Sequence, residues 1–152
     1  MLIKTHLTIT IFAIILFLPL VNNPISFVAV TLVATVLPDF DNRFSKYGKN
    51  IAAKATQLVT HHRGFAHSLT ICFLISLILA IFIPILAFGF FLGYSLHLMA
   101  DSFNKIGITP FWPYSKKAFG FVEMNTVVEK GIFFGFFVVD FILILVRVAG
   151  II

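Results

Sequence analysis

The sequence predicts an all-α fold: a polytopic membrane bundle of about five spans, forming a single domain over residues 1–152. Three observations carry this expectation. The chain is 60% hydrophobic and only 11% charged, with a mean hydropathy of +1.07. An ordinary soluble domain is about one-quarter charged, and a fold of this size in water could not hide so much apolar surface. The apolar residues also gather into runs bounded by prolines and polar loops. Lastly, the formal charge of +5 lies mostly between those runs rather than along them.

The first run covers residues 7–21, after Lys4. It ends Leu18-Pro19-Leu20-Val21-Asn22-Asn23, without the small-x-small pattern of a signal-peptide cleavage site, so a retained span is expected. Asn22-Asn23-Pro24 is a turn signal. The second run, 25–37, is closed by Pro38. At 1.5 Å per residue it reaches about 20 Å, short of a hydrocarbon core about 30 Å thick. It should pair with the first run as a hairpin.

Residues 39–65 form the main polar segment, in which 50–60 could make a short interfacial helix. The third span is expected at 66–83, with Ser68 placed to cap it. Pro84 marks a tight, uncharged reversal into the fourth span, 85–103. A second polar loop, 104–126, carries Lys105, Lys116 and Lys117, with Trp112 and Tyr114 suited to a membrane interface. The last span is expected at 127–149.

With the N-terminus in the cytoplasm, both lysine-bearing loops fall inside and both tight turns fall outside. Arg147 is the exception. This bias predicts a multi-pass protein of the cytoplasmic (inner) membrane. The lysines are read as topology and lipid-headgroup residues. The aromatic residues are mostly Phe within the apolar runs, so no nucleic-acid partner is expected. The single cysteine, Cys72, reads as a small buried hydrophobe.

That topology brings the ligand-type side chains to one membrane face: His6, Asp39, Asp41, His62, His67, His97, Asp101 and Glu129. Three of the five histidines fall within 61–67. His97 and Asp101 are four apart, which stacks them on one helix face, as joint ligation of one ion would require. A carboxylate at a helix C-terminus is opposed by the macrodipole, and a cation relieves that opposition. The alternative is a polar pair lining a helix contact. Asp39 and Asp41 can both face one ion, or one of them can bridge two. His62 and His67 flank a turn eased by Gly64, a corner from which metal ligands often come, while His61 reads as solvated. Arg63 could clamp a phosphate, or it is a residue of the positive-inside pattern. Asp140, near mid-span, is costly to bury unless protonated or paired with a neighbouring helix, and reads as structural. Mixed histidines and carboxylates suit zinc, with manganese or iron as alternatives; seven or eight such ligands would serve two or three ions.

Four motifs in order complete the pattern: Leu37-Pro38-Asp39-Phe40-Asp41; His62-Arg63-Gly64-Phe65-Ala66-His67-Ser68-Leu69; Gly93-Tyr94-Ser95-Leu96-His97-Leu98-Met99-Ala100-Asp101; and Gly107 through Trp112-Pro113. Together they resemble the YdjM-type family of bacterial inner-membrane proteins regarded as metal-dependent hydrolases, some of them regulated by LexA. The likeness covers roughly residues 1–135. That family is distantly similar to zinc-dependent phospholipase C and the single-strand-specific zinc nucleases, which share a His-x-x-x-Asp pair on a helix. The resemblance implies ligand roles for His6, Asp39, His67 and Glu129, and phosphoester hydrolysis. The sequence departs from the family pattern at Asn42, where a His is usual, at Ala66, where a Thr is usual, and over Ser102-Phe103-Asn104.

The leading expectation is therefore a membrane-bound zinc phosphoesterase acting on a phospholipid or related phosphoester at the cytoplasmic face. Asp39 or Asp41 would bridge ions or act as base, and Arg63 would steady phosphate charge. The alternative is a non-enzymatic protein that binds, senses or transports a divalent metal. A third reading is a fold stapled by metal that turns nothing over.

Overall fold

The computed structural model of the chain describes residues 1–39 and 65–150. Among these the fold is helical: α1 (Ile3–Phe17), α2 (Pro24–Val36), α3 (Leu69–Phe82), α4 (Pro84–Ser102) and α5 (Val127–Val148). Short 3₁₀ turns, Leu18–Leu20 and Leu37–Asp39, finish α1 and α2.

The boundaries follow local chemistry. Pro24 and Pro84 each occupy the first turn of their helix, where a missing N–H costs nothing. Ser68 caps α3 by accepting from the Thr70 N–H, so that helix starts at Leu69 rather than 66. Thr126 caps α5, accepting from the Glu129 N–H. The interfacial helix expected over 50–60 lies outside the described residues.

Among the described residues, three helical segments are long and apolar enough to cross a membrane: Ile3–Leu20, Pro84–Ser102 and Val127–Val148. α2 and α3, with 13 and 14 residues, are shorter. They cover about 20 Å each, less than a hydrocarbon core. The count of about five spans thus resolves into three long helices and two short ones.

α4 packs against α2, α3 and α1, and α1 also packs against α2 and α5. Its approach to α2 depends on small residues. A Cβ at Gly93 would stand 2.1 Å from the Thr31 carbonyl oxygen, and one at Gly89 would stand 3.0 Å from Thr31 Oγ1. Close backbone approach through small residues is how helices associate where lipid removes the hydrophobic drive. Thr35 Oγ1 donates to the Gly93 carbonyl at 3.3 Å and shares a 3.0 Å bond with Thr10 Oγ1. Around this contact Ala34, Cys72, Phe90, Tyr94, Leu98 and Ile108 form the core. Cys72 is fully buried, as expected.

α5 is the inverse of a soluble helix. Its buried residues are Glu129 and Asp140, while most of its apolar side chains face outward. That suits a helix whose solvent is lipid. It is tied to α1 by Arg147, which donates to the Ile15 carbonyl at 2.6 Å, and by Lys4 over the Phe133 ring. Asp140 Oδ1 is buried without a hydrogen-bond partner among the described residues.

The segment between α4 and α5 is more ordered than a polar loop. It doubles back as a hairpin-like loop held by two isolated bridges, Asn104 with Val122 in parallel and Ile108 with Ala118 antiparallel.

Candidate metal centre

The ends of four helices meet at one end of the bundle. The start of α1 brings His6, the turn after α2 brings Asp39, the residue before the α3 cap brings His67, and the last turns of α4 bring His97 and Asp101. Asp39, His67, His97 and Asp101 each present one ligand-type atom, and these atoms lie within 4.8 Å of one another.

The spacing is informative. His67 Nε2 stands 3.5 Å from Asp39 Oδ1 and 3.6 Å from Asp101 Oδ2. His97 Nε2 stands 4.0 Å and 3.7 Å from the same two oxygens. These separations are too long for ordinary hydrogen bonds. They are close to the edge of a tetrahedron with zinc-ligand arms, about 3.4 Å. No ring nitrogen of His67 or His97 has a hydrogen-bond partner among the described residues, though both side chains are buried. Buried imidazole nitrogens are normally satisfied. Four ligand atoms converging on one point, with the nitrogens unpaired, fit a cation.

Asp101 faces two ways. Its Oδ2 points at His67 and His97, while its Oδ1 lies 3.3 Å from His6 Nε2 and accepts from the Met1 α-amine at 2.6 Å. His6 is itself stacked on His97, with ring centroids 4.2 Å apart and planes 15° apart. His6 thus belongs to the site through Asp101, as a fifth residue beside the four. Asp39 is the most open member, with 24% of its side chain exposed. Burial raises its carboxyl pKa, but the neighbouring His67 and His97 more than offset this and leave it below the ordinary carboxylate value.

The site is braced from outside. The Tyr94 hydroxyl donates to the Ala66 carbonyl at 2.5 Å. Ser68 Oγ donates to the Pro110 carbonyl and accepts from the Trp112 N–H, and the Leu69 N–H also reaches Pro110. These bonds hold the His67 corner to α4 and to the 104–122 hairpin.

Of the residues proposed from sequence, His6, Asp39, His67, His97 and Asp101 are brought together. Asp41, His62 and Arg63 lie outside the described residues. Glu129 is buried but is not part of the four-ligand group. Its two carboxylate oxygens accept the N–H groups of Leu2 and Asn125, so it clasps the start of α5 to the start of α1. The Met1 amine on Asp101 was not anticipated, and no spacing in the sequence signals it.

Among known families, the model described as YdjM inner membrane protein matches residues 1–150. No curated protein and no solved structure matches the chain.

Proposed function

Because the chain belongs to the YdjM inner membrane protein family, we propose that it is a membrane-embedded, metal-dependent hydrolase acting on a phospholipid or related phosphoester at the cytoplasmic face of the inner membrane. The observation that supports this most is the set of buried, unpartnered His67 and His97 nitrogens converging with Asp39 and Asp101. Two imidazoles and two carboxylates suit zinc, with manganese or iron as alternatives.

Asp39, His67, His97 and Asp101 would hold one ion. A neighbouring ion on the His6 side would have to displace the Met1 amine from Asp101 Oδ1. Bound zinc would supply a water of lowered pKa and polarise a phosphoryl oxygen. Asp39, the member of the group most open to solvent, or Asp41 would accept that water's proton. Arg63 is proposed to meet the phosphate charge. The cytoplasmic orientation rests on the lysine bias of the two loops.

The test is hydrolysis of phospholipids by the purified protein, with and without chelator. Metal-dependent release of a headgroup or acyl product, lost in H97A/D101A, supports the reading. Metal-loaded protein that turns over no phosphoester, while carrying divalent metal into liposomes, would favour the non-enzymatic alternative.

A further inference from the structure

The hairpin between α4 and α5 presents an apolar surface that no part of the described chain covers. Phe111 and Trp112 are 62% and 41% exposed, and Tyr114, Phe119 and Phe121 are each at least 70% exposed. The backbone beneath them is tightly built. A Cβ at Gly120 would lie 2.3 Å from the Phe103 carbonyl oxygen, and one at Gly107 would lie 2.3 Å from that of Ala118. Asn104, Ile108 and Val122 are buried under the hairpin. The aromatic side chains are therefore held outward by a packed scaffold.

Charge accompanies them. Lys105 is paired with Glu123. Lys116 and Lys117, at the hairpin's exposed end, form no ion pair or hydrogen bond among the described residues. Both flanking helices are long enough to cross a membrane, so the hairpin begins and ends at a membrane surface. Exposed aromatics with unpaired lysines at that level complement an anionic headgroup layer above acyl chains.

We propose that the 103–122 hairpin lies in the headgroup layer of an anionic leaflet, its aromatic side chains reaching toward the acyl chains and Lys116 and Lys117 meeting lipid phosphates. Trp112 also packs edge-on against Phe65, ring centroids 5.3 Å apart, two residues before His67. The platform thus sits beside the candidate metal centre and would hold lipid headgroups next to it. The proposal rests on the membrane fold, not on the metal chemistry.

Trp112 is the one tryptophan in the chain, so its fluorescence reports this surface alone. The full-length protein is placed in vesicles of phosphatidylcholine and phosphatidylglycerol. Trp112 is expected to be quenched by lipids brominated near the ester linkage more than by lipids brominated near the terminal methyl, and weakly by aqueous acrylamide. Strong acrylamide quenching without bromolipid quenching overturns the proposal. Shielding from both quenchers also overturns it, and points to a covering protein. Each lysine near an anionic leaflet gives about a fivefold preference. Brominated phosphatidylglycerol should therefore quench wild-type Trp112 more than brominated phosphatidylcholine, and the excess should vanish in K116Q/K117Q. Equal quenching in the wild type, or an unchanged excess in the variant, refutes the anionic contact. Chelator should alter none of these readings, so a failure of the hydrolase reading leaves this result standing.

Discussion

His6 lies flat against His97, ring centroids 4.2 Å apart, although one opens α1 and the other closes α4. The stack puts His6 Nε2 on the Oδ1 side of Asp101, while His97 addresses Oδ2. One carboxylate thereby separates two imidazole environments.

His6→Ala is expected to remove only the Oδ1 side. Metal bound per chain should fall but not vanish, whereas His67→Ala should abolish binding at the four-residue group. Elemental analysis of purified protein, dialysed against defined free zinc, reads both. Equal losses in the two variants would show a single undivided site.

Gly93→Ala should force α4 from α2, since its Cβ would meet the Thr31 carbonyl oxygen. The expected cost is about 1–3 kcal/mol, with weaker metal binding because His97 lies one turn further along α4. Gly131→Ala on α5 is the control: nothing stands within 4 Å of its Cβ, and helix propensity favours Ala. Thermal unfolding in detergent compares the two.

Glu129→Gln should lower stability by about 1.5–3 kcal/mol, the usual worth of a hydrogen bond to a charged group, because an amide nitrogen would face a backbone N–H at Leu2 or Asn125. Metal stoichiometry should stay unchanged. Loss of metal at unchanged stability would make Glu129 a ligand instead of a clasp.

Acid should act through Asp39 in the metal-free protein. Its carboxyl lies below the ordinary value of 3.8, so near that pH the folded state holds fewer protons than the unfolded one. Its contribution to stability is present above that value and is lost as pH falls through the lower, folded one. Denaturant titrations at stepped pH should show this acid limb in the wild type and a shallower one in D39N. With metal bound, protons must compete with the ion for the same carboxylates and imidazoles, so acid should release the metal.

Much of this arrangement is legible before any coordinates. Pro24, Pro38 and Pro84 punctuate the apolar runs, and Ser68 announces the start of α3, so helix order and most boundaries follow from local chemistry. The His97–Asp101 pair is legible because four residues make one helical turn. Glu129 is not: a carboxylate at the start of a span looks the same whether it awaits a cation or the N–H groups of Leu2 and Asn125. Nor can the sequence show which glycines are pressed against a neighbour. Gly93 abuts Thr31, while Gly131 faces open space. The 103–122 hairpin reads as a polar loop because its order comes from two isolated bridges and two close-packed glycines rather than from periodic apolar residues.

The most direct test of the metal centre is anomalous scattering at the zinc edge from crystals of the protein grown with zinc. A peak bounded by Asp39, His67, His97 and Asp101 is expected, and it should be absent in H97A/D101A. Crystals with those four side chains ordered and no anomalous peak among them would contradict this expectation.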